Sequence, residues 1–222
     1  MPQQKRIIFS ASMMCADYGH LEREVKTLED ADIDAFHIDI MDGHFVHNFG
    51  MGIHDLRYIR AATKKSVECH LMITEPRAFI DMFERIGVDV LYVHPESEYQ
   101  CSTTLEKIIK AGITPGIAIN PGTSVETVLE LLHIAKRVLV MSVNPGNAGQ
   151  VMIPHIGKKI EKLLKLRDEY DFEVFWDGHG SVENVQKYAP LGLSGFVLGT
   201  AALFNKNRSY KEILTELWEC TK

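Results

Sequence analysis

"HIDIMDGHFV", His37 to Val46, is the stretch on which the reading of the fold turns. Ile38 and Ile40 alternate with His37 and Asp39, the two-residue period of a β-strand. The face opposite the isoleucines carries an imidazole and a carboxylate, and a second carboxylate, Asp42, follows at once. Such groups are costly to bury without partners. A strand built this way must direct its polar face at something other than apolar core.

Outward from it, short apolar runs rich in β-branched residues recur along the chain. They are RIIFSASMM (6–14), AFHIDIM (35–41), SVECHLM (66–72), DVLYVHP (89–95), TPGIAIN (114–120), RVLVMSV (137–143), FEVFWDG (172–178) and SGFVLGT (194–200). Amphipathic stretches lie between them: HLEREVKTLED (20–30), GIHDLRYIRAAT (52–63), EPRAFIDMFERIG (75–87), STTLEKIIKAG (102–112), SVETVLELLHIA (124–135), HIGKKIEKLLKLRDEY (155–170) and SVENVQKYAPLG (181–192). Several open on a Ser or Thr cap or an early Pro, and several close on Gly. Eight strands alternating with helices predict a (β/α)8 barrel, an α/β fold of one domain over residues 1–222. A doubly wound open sheet is the rival, but no GxGxxG follows the first strand.

Barrel strands point alternate side chains inward. If His37 points inward, so do Asp39 and Met41; on the third strand Glu68, His70 and Met72 share one parity. Met141 and Asp177 fall near the ends of the sixth and seventh strands. All lie toward the C-terminal mouth, where barrel active sites form. His37, Asp39, His70 and Asp177 together offer two imidazoles and two carboxylates. Neighbouring buried carboxylates raise each other's pKa, a conflict that a divalent cation removes. Two nitrogens and two oxygens suit Zn²⁺, and also Fe²⁺, Mn²⁺ or Co²⁺. Carboxylates on two strands could also move a proton off one face of a flat substrate and back onto the other, with the metal stabilising the enediolate between. Met41, Met72 and Met141, at the same level, would form a polarisable wall that holds no exchangeable proton. Glu68 is placed to orient a ligand imidazole. His44, His47 and His54 read as loop histidines rather than a second metal site.

Phosphate signals follow the last strands. NPGNAGQ (144–150) brings Gly146, Ala148 and Gly149, whose backbone amides can converge on an anion. DGHG (177–180) adds Gly178 and His179, and LGTAALF (198–204) leads from Gly199 and Thr200 into an expected short helix.

SASMMCAD, FHIDIMDGHFVHN, ECHLMI, VHPES, SVNPGNAGQ, WDGHG and LGTAALF, in this order from Phe9 to Phe204, resemble the ribulose-phosphate 3-epimerase family. The resemblance implies a metal-dependent barrel that inverts C3 of a ketose phosphate, in a homo-oligomer. By it, Asp39 and Asp177 look like the acid–base pair, and His37, Asp39, His70 and Asp177 like the metal ligands. Ser12 resembles a substrate-contacting serine, beside His70 and the three methionines. The amides of Gly146, Asn147, Ala148, Gly149, Gly178, His179, Gly199 and Thr200 resemble a phosphate cradle. The chain has ASMM, FVHN, PGNAGQ and DGHG where those enzymes usually have PSIL, FVPN, PGFGGQ and DGG. MMC, CHLM, HPE, AGQ followed by IP, and GT followed by LFN resemble instead the D-allulose-6-phosphate 3-epimerase branch. The lean is therefore toward D-allulose 6-phosphate, with D-ribulose 5-phosphate as the alternative. His47 and Asn147 match neither branch well.

A net charge of −6 gives no basic surplus for nucleic acid or anionic membrane. The N-terminal stretch MPQQKRIIFSAS has no cleavage signal, no apolar run could span a bilayer, and the four cysteines lack metal-finger spacing, which together predict a cytoplasmic protein with reduced thiols. Two other classes are weighed. A sugar-acid-phosphate decarboxylase would normally use a strand-borne lysine, and neither HIDIMDGH nor ECHLM carries one. A non-catalytic sugar-phosphate binder would have no need of Asp39, Asp177 and all three methionines.

Overall fold

The computed structural model describes residues 6–221; the first five and the last residue of the expected 1–222 domain lie outside the described residues. Eight parallel strands close into a barrel in sequence order. They are β1 (Ile8–Ser12), β2 (Ala35–Met41), β3 (Ser66–Met72), β4 (Val90–Val93), β5 (Thr114–Ile119), β6 (Arg137–Met141), β7 (Glu173–Asp177) and β8 (Gly195–Leu198). Each lies within the run expected for it. The helices on the outside are α1 (Leu21–Asp30), α2 (Ile53–Ala62), α3 (Ile80–Ile86), α4 (Cys101–Lys110), α5 (Ile156–Tyr170), α6 (Val182–Tyr188) and α7 (Tyr210–Cys220).

The helix expected within 124–135 is present and winds as a 3-10 helix, Val125–His133. Val125, Thr127 and Val128 are β-branched, and the Thr127 hydroxyl donates to the Ser124 carbonyl at 2.7 Å, which favours the tighter turn. The segment after Thr200 is a turn closed by Leu203 N–H on the Gly199 carbonyl, not a short helix. The eighth helix starts later, at Tyr210, on a capping box in which Ser209 and Glu212 serve each other. That signal, SYKE, was legible in the sequence.

The apolar faces of the strands meet the helices in one large core, with Trp176, Phe36, Phe83 and Phe196 among its largest fully buried members. A second, smaller cluster fills the barrel itself: Val90, Tyr92, Ala118, Leu139, Met141, Phe175 and Val197. Small residues make room for large ones there. A Cβ on Gly116 would sit 2.4 Å from the Tyr92 ring, and one on Gly195 would sit 2.6 Å from both the Ile8 carbonyl oxygen and the Phe175 ring. The four cysteines are unpaired, and among the described residues no helix is long and apolar enough to cross a membrane.

Because neither the Ile8 backbone nor the packed Phe175 ring can retreat, Gly195→Ala should lower stability by roughly 1–3 kcal/mol. A urea titration followed by circular dichroism checks this; an unchanged midpoint would show that the barrel interior is looser than described.

Candidate active site

Strand register assembles the site. Parallel pairing sets Ser12 beside His37, Asp39 beside His70, and Met141 beside Asp177. His37 and His70 are fully buried, Asp39 nearly so, and Asp177 opens toward solvent. His37 Nε2 stands 3.5 Å from Asp39 Oδ1 and 3.8 Å from Asp177 Oδ2, while His70 Nδ1 stands 3.2 Å and 3.5 Å from the same two oxygens. A tetrahedral ligand set at about 2.1 Å from a metal has edges of about 3.4 Å. Among the described residues this is the one group of three or more such side chains able to hold a metal ion. His37 Nε2 is buried with no hydrogen-bond partner, an orphan that a cation would satisfy. His44, His47 and His54 are exposed and form no such group.

The electrostatics run the same way. Burial alone would raise Asp39, but the adjoining His37 and His70 imidazoles outweigh it and hold the carboxyl well below the usual range. Ser12 Oγ donates to the outer oxygen, Asp39 Oδ2, at 2.9 Å, leaving Oδ1 toward the imidazoles. Burial would lower His37, yet Asp39 and Glu68 raise it well above its ordinary value. Its other nitrogen, Nδ1, meets Glu68 Oε1 at 2.9 Å, so Glu68 orients the ring of His37 rather than that of His70. The second Glu68 oxygen accepts from Arg137 Nη1 at 3.1 Å, deep in the barrel. Glu68 stays ionised despite burial, because His37 and Arg137 more than offset the desolvation.

A cavity of about 220 Å³ opens above this cluster. Asp39, His70, Asp177, Ser12 and Met41, Met72 and Met141 line one side; Gly146, Asn147, Ala148, Gly149, Gly178, His179, Gly199 and Thr200 line the other. Of the residues expected to bind metal, substrate or phosphate, all therefore line one space except His37, which lies buried behind it with Glu68. Gly146, Gly149 and Gly178 adopt φ of 108°, 82° and 89°, backbone that favours glycine. No lysine or arginine among the described residues lines the cavity.

The Ribulose-phosphate 3 epimerase family model matches residues 8–204. The chain belongs to the ribulose-phosphate 3-epimerase family. It is an isomerase, of the class of epimerases acting on carbohydrate phosphates. The ribulose-phosphate 3-epimerase of Methanocaldococcus jannaschii is 37% identical, over 90% of this chain and 86% of that one. The enzyme of the same name from Synechocystis sp. is 34% identical, over 90% and 89%. Among solved structures, 3-hexulose-6-phosphate synthase from Salmonella typhimurium superposes with a TM-score of 0.71 at 13% identity, covering 97% of this chain and 98% of that one. KGPDC from Streptococcus mutans gives 0.72 at 9% identity, covering 98% of both. At such identities these two show the shared barrel alone.

Against the family pattern, the three unusual residues fall in different places. His47 is exposed and does not line the cavity. Asn147 stands on the rim, where Asn48 Nδ2, from the loop after β2, donates to the Gly146 carbonyl at 2.7 Å and lies 3.5 Å from Asn147 Oδ1. His179 enters the cavity wall with φ of 42°, a left-handed conformation that most side chains avoid. Its ring Nδ1 meets the Gln150 carbonyl at 3.0 Å, which makes Nδ1 the protonated nitrogen, and its own carbonyl accepts from Asn184 Nδ2 at 2.8 Å. Sequence reasoning assigned no part to two further residues of this epimerase-family site. Cys15 lines the cavity, its thiol pushed up to about 11 mainly by burial, which keeps it protonated. His94 lies one residue past β4, fully buried, with Nε2 2.7 Å from His70 Nε2. Carrying the β4 alternation of Val90 and Tyr92 one step further would have found it.

Glu68→Ala should free the His37 ring and leave Arg137 with Glu173 but without its buried partner. Metal affinity, read by competition with a chelator, is expected to fall roughly 10–100-fold. Stability should drop by about 3–5 kcal/mol, the usual loss when one partner of a buried ion pair is removed. Unaltered metal content and turnover would exclude an orienting role for Glu68.

Proposed function

We propose that the protein inverts C3 of a ketose phosphate, using Asp39 and Asp177 as the acid–base pair and His37, Asp39, His70 and Asp177 as ligands for one divalent cation, Zn, Fe, Mn or Co. The observation that carries this reading is the pair of carboxylates reaching one cavity from β2 and β7, with two imidazoles between them, in a chain of this family.

Asp39 is held as a carboxylate by the adjoining His37 and His70 imidazoles against its burial, the form that a proton acceptor requires. In one direction it takes the C3 proton from one face of the substrate, and Asp177 returns a proton to the opposite face; in the other direction the roles exchange. A divalent cation, when bound, supplies positive charge beside the oxygens on which negative charge develops. The sulfurs of Met41, Met72 and Met141 hold no exchangeable proton, so none competes with the two carboxylates. The phosphate is assigned to the backbone amides of Gly146 to Gly149, Gly178, His179, Gly199 and Thr200. With no lysine or arginine among the described lining residues, backbone amides and neutral side-chain donors such as those of Asn147 and Thr200 are what the wall offers an anion.

The motifs MMC, HPE, AGQ with IP, and GT with LFN favour D-allulose 6-phosphate as the substrate. The relatives from Methanocaldococcus jannaschii and Synechocystis sp., both ribulose-phosphate 3-epimerases, favour D-ribulose 5-phosphate instead. Turnover of both by metal-replete protein, side by side in deuterated water, tests the reading. One ketose phosphate should be epimerised with solvent deuterium entering at C3. Asp177→Asn should lower kcat at least about 10³-fold, as expected for loss of a proton-transfer group. Release of carbon dioxide, or binding of either sugar phosphate without exchange at C3, would reject the assignment. Removal of the cation by a chelator should abolish turnover, and re-addition of Zn²⁺, Mn²⁺, Fe²⁺ or Co²⁺ should restore it; turnover that survives chelation would reject the metal's part in it.

A further inference from the structure

We infer that His94 is a positioning residue for the metal centre: it accepts the Nε2 proton of His70 and so holds the tautomer in which His70 presents a bare Nδ1 to the cation. The inference rests on the metal reading above. His70 Nδ1 is the nitrogen that faces Asp39 and Asp177. A nitrogen that coordinates a cation carries no proton, so a neutral His70 ligand must carry its proton on Nε2. At that position the structure supplies His94 Nε2, 2.7 Å away, a separation that requires one nitrogen to donate and the other to accept. His94 must then be bare at Nε2 and protonated at Nδ1. That Nδ1 is buried without a hydrogen-bond partner and faces Glu96 Oε2 at 3.7 Å, the side on which a proton is favoured by charge.

His94 is also held in place. It is fully buried, so water does not substitute for it. The ring of Phe45 packs on it with centroids 4.7 Å apart, and Asp42 fixes Phe45 by accepting from its backbone N–H at 2.9 Å. Asn120 and the Thr123 hydroxyl donate to Glu96, which anchors the far end of the chain. The two imidazole ligands thus receive unlike support. His37 donates to a carboxylate, Glu68, whereas His70 donates to a neutral imidazole. Loss of either acceptor should loosen the metal, as partners behind a ligand generally do.

The test is a set of substitutions at His94 read by cation affinity and by spectrum, not by turnover. Apo protein is titrated with Zn²⁺ against a chromophoric chelator, and with Co²⁺ for its visible absorption, with circular dichroism and a urea midpoint as folding controls. His94→Ala and His94→Phe should weaken Zn²⁺ binding roughly 10–100-fold and shift the Co²⁺ bands, while His94→Gln, whose Oε1 can accept the same proton, should stay within about threefold. A folded His94→Ala that binds Zn²⁺ within about twofold of wild type with an unshifted Co²⁺ spectrum overturns the inference. So does a His94→Gln as weak as His94→Phe, because packing and not proton acceptance would then be the cause. If His94→Ala does not fold, the comparison of Phe with Gln decides. Wild-type protein that binds no cation would reject the metal reading itself, and the inference with it; wild-type binding with indifferent variants rejects the inference alone.

Discussion

Two carboxylates cannot sit within a few ångströms of one another in a protein interior unless positive charge or protons stand between them. Asp39 and Asp177 face that constraint at the mouth of the barrel, where the ring nitrogens of His37 and His70 lie 3.2–3.8 Å from both and the four side chains could hold one cation. The rest of the site follows from it. Ser12 takes up the outer oxygen of Asp39, Glu68 the far nitrogen of His37, and His94 the far nitrogen of His70. Arg137 in turn answers the charge of Glu68 from below. Each polar group that the cavity needs creates the need for one more beneath it, until the chain of partners ends at the rim or in the lower barrel.

This explains why the barrel interior changes character along its axis. Near the mouth it holds imidazoles, carboxylates and thioethers. Below them Tyr92, Phe175, Leu139 and Val197 pack as apolar core, and the Arg137 guanidinium lies 4.5 Å above the Phe175 ring. A cation stacked on an aromatic face, ion-paired to Glu68 and to Glu173, is a partner that can be buried at modest loss. On the side of the cavity proposed for the phosphate, no lysine or arginine stands among the described lining residues. There the positive φ of Gly146, Gly149 and Gly178 lets the chain turn so that amides can face the space.

Much of this was legible in the sequence. The alternation in AFHIDIM and SVECHLM identified the inward faces, because strand geometry leaves only two sides to choose from. The glycine-bearing loops after β6, β7 and β8 marked the far side of the cavity. Less legible were the segments governed by local competition. Val125–His133 has the amphipathic pattern of an α-helix but winds as a 3-10 helix, and the segment after Thr200 turns without becoming a helix. Hydrophobic period reports which face is buried and not how tightly the backbone winds. His94 was given no part although it alternates with Val90 and Tyr92 in DVLYVHP, because a lone imidazole at a strand end does not show from the sequence what it touches.

The sequence by itself determined the number and order of the strands, the parity of β2 and β3, and the chemistry brought to the barrel mouth, since these depend on spacing along the chain. The tertiary structure alone decided which groups touch. Parallel register set Asp39 beside His70, barrel closure brought β7 round so that Asp177 joined them, and the two imidazoles received different supports, Glu68 for one and His94 for the other. Those contacts join residues tens of positions apart, and register between strands is fixed by packing on the helices and within the barrel rather than by any local pattern.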